Sequence, residues 1–259
     1  MDFLAGRARE VAERVVREEE GHRRHLVIYL SGAHAYGFPS PDSDLDLKAI
    51  HVEPTKSLLG LADYKETFDR LEVIDGVEID YTSNEIKGVL AGIIAGNGNY
   101  IERVIGNLFA LSGPEHQELA ELMPRLLSRR VHRHYRGFAA NQRRSFELAD
   151  KPTAKKLLYV LRTALTGTHL LRTGELRVDL TTIAEDYGFA DAHDLIEAKK
   201  AGERAVLAED VRQSWLERLD GLFEMLDDAR ERSVLPEEAP GASEAEDWLV
   251  QFRAAQLAR

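Results

Sequence analysis

"SGAHAYGFPSPDSDLDLKAI", residues Ser31 to Ile50, holds two glycines, two prolines and three aspartates in one short stretch. Ahead of it, "HLVIYL" (His25–Leu30) is an apolar, β-branched run that stops at Ser31-Gly32, as a buried strand does where the chain must turn. Behind the prolines, "LDLKAIHV" (Leu45–Val52) alternates and reads as a second strand. Asp44 and Asp46 are two residues apart, so along an extended chain both side chains leave the same face. Two carboxylates that close repel unless a cation lies between them, and oxygen-only ligation favours magnesium or manganese.

A third strand is expected at "GVEIDYTS" (Gly76–Ser83), with Glu78 and Asp80 on one face. Placed beside the second strand, it brings Asp80 or Glu78 to the face of Asp44 and Asp46. Three acidic groups suit a pair of divalent ions ~3.5–4 Å apart, the arrangement used for in-line displacement at phosphorus. The bend Ser31-Gly32-Ala33 offers backbone N–H groups to phosphate oxygens, and "HAYG" reads as a short helical turn.

Further out the grammar is helical. Asp2–Glu20 has helical apolar spacing, and "EPTKSLLGLADYKETFDRLE" reads as loop plus short helix. "NEIKGVLAGIIAG" is an apolar helix broken at "GNGN" (Gly96–Asn99) and resumed by "YIERVIGNLFAL". Nearly every segment from there to about Ser233 has helical period, "GELRVDL" being the one candidate for an extended piece. The expected fold class is α/β (α+β): a small mixed-sheet core with flanking helices, followed by an all-helical lobe. The expected domains are 1–112, 113–235, and 236–259 as linker and short helix.

The 259 residues carry a formal net charge of −11, which argues against indiscriminate nucleic-acid binding over the whole surface. The segment Arg125–Arg162 departs from this, with eleven Lys or Arg against Glu147 and Asp150, a local charge of +9. A local anionic ligand and a solvated face balanced by acidic neighbours explain that segment equally well. Within it Lys155 (or Lys156), Tyr159 and Arg162 share a helix face and suit a triphosphate and base. The chain has no cysteine, no signal peptide is evident, and no apolar run reaches the ~20 residues of a membrane span. A cytoplasmic protein is expected.

Gly32-Ala33, then Asp44-x-Asp46, then a carboxylate on a later strand resembles the DNA polymerase beta nucleotidyltransferase superfamily. The blocks "SGAHAYGFPSPDSDLDL", "GNGNYIER", "HYRGFAANQ" and "KKLLYVLRTALTG" resemble its bacterial YcgL-like group, over roughly Leu26 to Lys200. The resemblance implies a metal-dependent enzyme that moves a nucleoside monophosphate from an NTP to an acceptor hydroxyl. It makes Asp44, Asp46 and Asp80 the metal ligands, with Glu78 the alternative third carboxylate. Ser31, Gly32, Ala33 and Ser43 would form the nucleotide-binding turn. Ala33 stands where the superfamily has Ser or Gly, so a hydroxyl for the phosphates is absent. The +9 segment makes an RNA 3′-end the first acceptor to consider; a protein, a small molecule, or a nucleotide-binding regulator without strong catalysis are the alternatives.

Overall fold

The computed structural model describes residues 1–61, 63–202 and 206–258. The elements in chain order are α1 (Gly6–His22), β1 (Arg24–Leu30), α2 (Gly32–Ala35), β2 (Leu45–Val52), α3 (Thr55–Leu59), β3 (Thr67–Ile74), β4 (Val77–Glu85), α4 (Ile86–Ile94), α5 (Gly98–Ile105), β5 (Phe109–Ser112), α6 (Pro114–Leu126), α7 (Val131–Glu147), α8 (Ala154–Thr173), α9 (Leu180–Ile183), α10 (Ala192–Lys200), α11 (Glu209–Glu231) and α12 (Ala242–Leu257). They form two compact units. One comprises residues 1–32, 44–127 and 238–259, the other residues 33–43 and 128–237.

The first unit is built on a five-stranded sheet in the order β3-β4-β2-β1-β5. β2 and β4 run parallel, and every other neighbouring pair is antiparallel. α1 covers one face: its Val11, Ala12, Val15 and Val16 pack on Leu45, Leu47 and Ala49 of β2 and on Ile79 and Tyr81 of β4. Because side chains alternate along a strand, the intervening Asp46 and Lys48 of β2, and Asp80 and Thr82 of β4, point to the opposite face. α5 anchors that second face through the buried Arg103, whose guanidinium donates to the Ala49 carbonyl at 3.0 Å and the Asn84 side chain at 2.5 Å. Burial pushes the Arg103 pKa down to about 10, and it remains a cation at neutral pH.

Two strands differ from expectation. "TFDRLEVI" is β3 rather than loop and helix, paired with β4 through a two-residue turn, Asp75-Gly76, both at positive φ (51° and 81°). This Asp-Gly turn matches the twist of the flanking strands and is the signal that β3 left in the sequence. The resumed helix ends at Ile105, and Phe109–Ser112 is the edge strand β5. Gly106 stands at the stop, where a side chain would not fit: a Cβ there would lie 2.4 Å from the Glu102 carbonyl and 2.5 Å from the Tyr29 ring. "GELRVDL" forms no strand.

The second unit is helical around α8, capped by Thr153, whose side chain accepts from Lys156 N, and closed by Gly174 at φ +77°. Residues 33–43 belong to this unit although they lie between β1 and β2, and α12 belongs to the sheet unit.

Candidate active site

The parallel register places Asp46 and Asp80 directly side by side across β2 and β4. Asp44 lies two residues earlier, half-buried, in the turn entering β2 rather than on the strand itself. Glu78 leaves the same face of β4 as Asp80 but is exposed, opposite Val73 of β3. Leu71 stands opposite Asp80 on the other side and is 77% exposed.

Gly32 shapes the site from the end of β1. It has φ +67°, and a Cβ built there would lie 1.9 Å from Asp46 Oδ2. The Asp46 carboxylate thus occupies room that only glycine leaves. Ser31 N donates to the Asp46 carbonyl at 2.8 Å, which ties the bend to β2.

Across the pair, Lys48 Nζ reaches Asp80 Oδ1 at 2.8 Å. Asp80 is thereby partnered by a cation of the protein's own. Among the described residues no three histidine, aspartate or glutamate side chains are gathered closely enough to hold a metal ion. Asp46 and Asp80 stand as a neighbouring pair, and Lys48 sets a positive charge against the Asp80 side of it. The donor set of Asp46 and Asp80, oxygen only and on adjoining strands, is of the kind that suits a hard divalent cation shared with substrate phosphates.

The other sequence candidates lie in the second unit. Ala33 is buried, and its carbonyl accepts from Phe38 N at 3.1 Å. Ser43 Oγ accepts from Ser40 N at 2.9 Å and from Lys199 Nζ at 2.7 Å, so its hydroxyl closes the loop ahead of Asp44. Lys199 is wholly buried and also donates to Ser40 Oγ at 2.7 Å. Lys155 and Lys156 are half-buried at the start of α8, with Lys156 Nζ donating to the Ser145 carbonyl. Tyr159 packs edge-on against Tyr36 and Phe38. Arg162, 3% exposed, lies 3.6 Å above the Tyr36 ring. The ring and the guanidinium both pack on the 33–43 segment.

Four arginines of the basic segment are paired with acids of their own unit. Arg129 pairs with Glu237, Arg136 with Asp227, and Arg143 with Glu147 and Asp220; in the sheet unit Arg125 pairs with Glu244. Two residues escaped the sequence reading. Lys48 was visible as the next side chain on the Asp46 face; Lys199 left no local signal.

A family model described as the RNA repair pathway DNA polymerase beta family matches residues 8–251. A relative in Methanocaldococcus jannaschii, itself uncharacterized, is 26% identical over 159 residues, which cover 61% of this chain and 64% of the relative. The chain therefore spans just under two thirds of that relative's length. A nucleotidyltransferase-like protein from Exiguobacterium sibiricum superposes at a TM-score of 0.34 with 12% identity, over 94% of this chain and 79% of the other.

Proposed function

The chain belongs to the RNA repair pathway DNA polymerase beta family, and from that premise we propose that it transfers a nucleoside monophosphate from an NTP to a hydroxyl at an RNA 3′-end. The acceptor oxygen would form its bond to the α-phosphorus as the bond to the bridging oxygen breaks and pyrophosphate leaves. The observation that carries this reading is the side-by-side placement of Asp46 and Asp80 on a sheet face beside the Gly32 bend.

Asp44, Asp46 and Asp80 are the residues that would hold magnesium or manganese, with Glu78 the alternative to Asp80. The bound ion supplies charge neutralisation on the triphosphate and lowers the pKa of the attacking hydroxyl. Asp80 is the carboxylate proposed to accept the hydroxyl proton, and the backbone at Gly32 and Ala33 to receive phosphate oxygens. Lys155 and Lys156 are proposed nucleotide contacts, and Tyr159 and Arg162 supports of the 33–43 segment. RNA is favoured as acceptor by the family's description. The acid-paired arginines favour a second reading, in which the acceptor is a protein or small molecule and no long phosphate backbone is tracked. Among the described residues no helix is long and apolar enough to cross a membrane. A cytoplasmic setting is proposed from the cysteine-free composition.

The test is incubation with each labelled NTP and magnesium, offering RNA oligonucleotides, proteins and polyols in turn. Label on RNA is the expected result, and label on protein or polyol supports the second reading. Nucleotide binding with no transfer to any acceptor would leave a regulator. Asp44→Ala combined with Asp46→Ala is expected to lower transfer by about a thousandfold or more while circular dichroism stays that of the wild type.

A further inference from the structure

Lys48 belongs to the same face of β2 as Asp46 and pairs in register with Thr82, two residues along β4 from Asp80. Its ammonium is 2.8 Å from Asp80 Oδ1, 3.4 Å from the Asp80 carbonyl and 3.5 Å from Thr82 Oγ1. Asp69 of β3 lies in the same row, opposite Thr82. The Lys48 and Asp80 side chains keep 20% and 41% exposure, so the contact can open without unfolding the sheet. A lysine is a point charge on a flexible stem, and swinging it a few ångströms costs little.

We propose that Lys48 is a resident counter-cation that makes metal binding at this site depend on the nucleotide. In the free protein it pairs with Asp80, next to Asp46 in the register. A divalent ion arriving alone must displace it from Asp80 and then sit beside a like charge. An ion arriving with a triphosphate brings anionic oxygens, and the displaced ammonium gains a phosphate partner. Ion and nucleotide then favour each other's binding through one residue, and that coupling is reciprocal. The proposal rests on the reading of Asp46 and Asp80 as the metal carboxylates.

The experiment is manganese binding, followed by electron paramagnetic resonance and calorimetry, with and without a non-hydrolysable α,β-methylene nucleoside triphosphate. In the wild type, manganese alone is expected to bind weakly and the analogue to strengthen it. Lys48→Met is expected to bind manganese alone about three- to tenfold more tightly, with a correspondingly smaller gain from the analogue. Lys48→Arg, which keeps the charge, is expected to restore the wild-type pattern, and Lys48→Gln replaces the methionine variant if that fails to fold. Unchanged or weaker manganese binding in both neutral variants overturns the role given to Lys48. Asp46→Asn tests the underlying reading separately: if it binds manganese as the wild type does, the metal site itself is misplaced.

Discussion

Gly32 has the least latitude of any residue in the site. Its φ of +67° costs a side-chain-bearing residue about 1–2 kcal/mol, and its missing Cβ is the space occupied by Asp46 Oδ2. Gly32→Ala is therefore expected to lower stability by about that amount and transfer by about a hundredfold, since misplacing a reacting group by an ångström carries that order of loss. Thermal melting and a single-turnover assay check the two effects, and full activity in this variant would show that Asp46 need not sit where it does. At this scale the sequence was informative because the relevant spacing was local: Asp44 and Asp46 two apart, Gly32 at a strand end, and Asp80 alternating with buried Ile79 and Tyr81. It was silent where partners are distant. Ser43 has such a partner in Lys199 on α10, which donates to its hydroxyl.

The sheet shows how neighbouring elements override local pattern. β3 alternates poorly because it is an edge strand: Leu71 and Val73 are exposed, while Arg70 reaches back to Glu18 and Glu19 on α1. Only the Asp75-Gly76 turn betrayed it. β5 was hidden in an apolar run long enough to pass for continued helix, although α5 ends at Gly106, which packs against Tyr29. The covered face of the sheet carries its own titration. His25 shares a hydrogen bond of 2.7 Å with Tyr81 OH, and His51 one of 2.8 Å with Ser83 Oγ. Burial, and then the Arg23 charge, push both imidazoles down to about 4 from 6.5. Glu19 faces His25 in partial opposition, and Arg253 adds to the effect on His51, whose Nε2 is 3.6 Å from Glu53. The unfolded chain therefore binds protons that the folded chain refuses. Stability is full above pH 6.5 and falls as the pH drops toward 4, by on the order of 2–3 kcal/mol for the fully buried His51. Urea midpoints at pH 7 and pH 5 check this, and His51→Asn is expected to flatten the slope.

At the scale of the whole chain, each compact unit is assembled from segments far apart in sequence, so its closing contacts join residues that no local pattern relates. Lys199 with Ser40 is one such contact in the helical unit, and Arg253 with Glu85 is its counterpart in the sheet unit. Arg253 on α12 donates to the Glu53 carbonyl at 2.6 Å and forms an ion pair with Glu85, their side chains 12% and 3% exposed. Glu85 also caps α4, accepting from Lys87 N at 2.7 Å. Thr55 Oγ1 donates to Gln256 at 2.7 Å one turn further along α12. Removing the arginine leaves a buried carboxylate with its cap but without its counter-charge. Arg253→Met is accordingly expected to cost about 3–5 kcal/mol, a large share of a domain's net stability. Buried pairs lose most of that cost when both charges go, so Arg253→Met combined with Glu85→Gln should be more stable than Arg253→Met alone. Urea denaturation of the two variants and the wild type measures the difference. If Arg253→Met alone unfolds at the wild-type midpoint, α12 is held to the sheet unit by its apolar contacts and the ion pair contributes nothing to closing it.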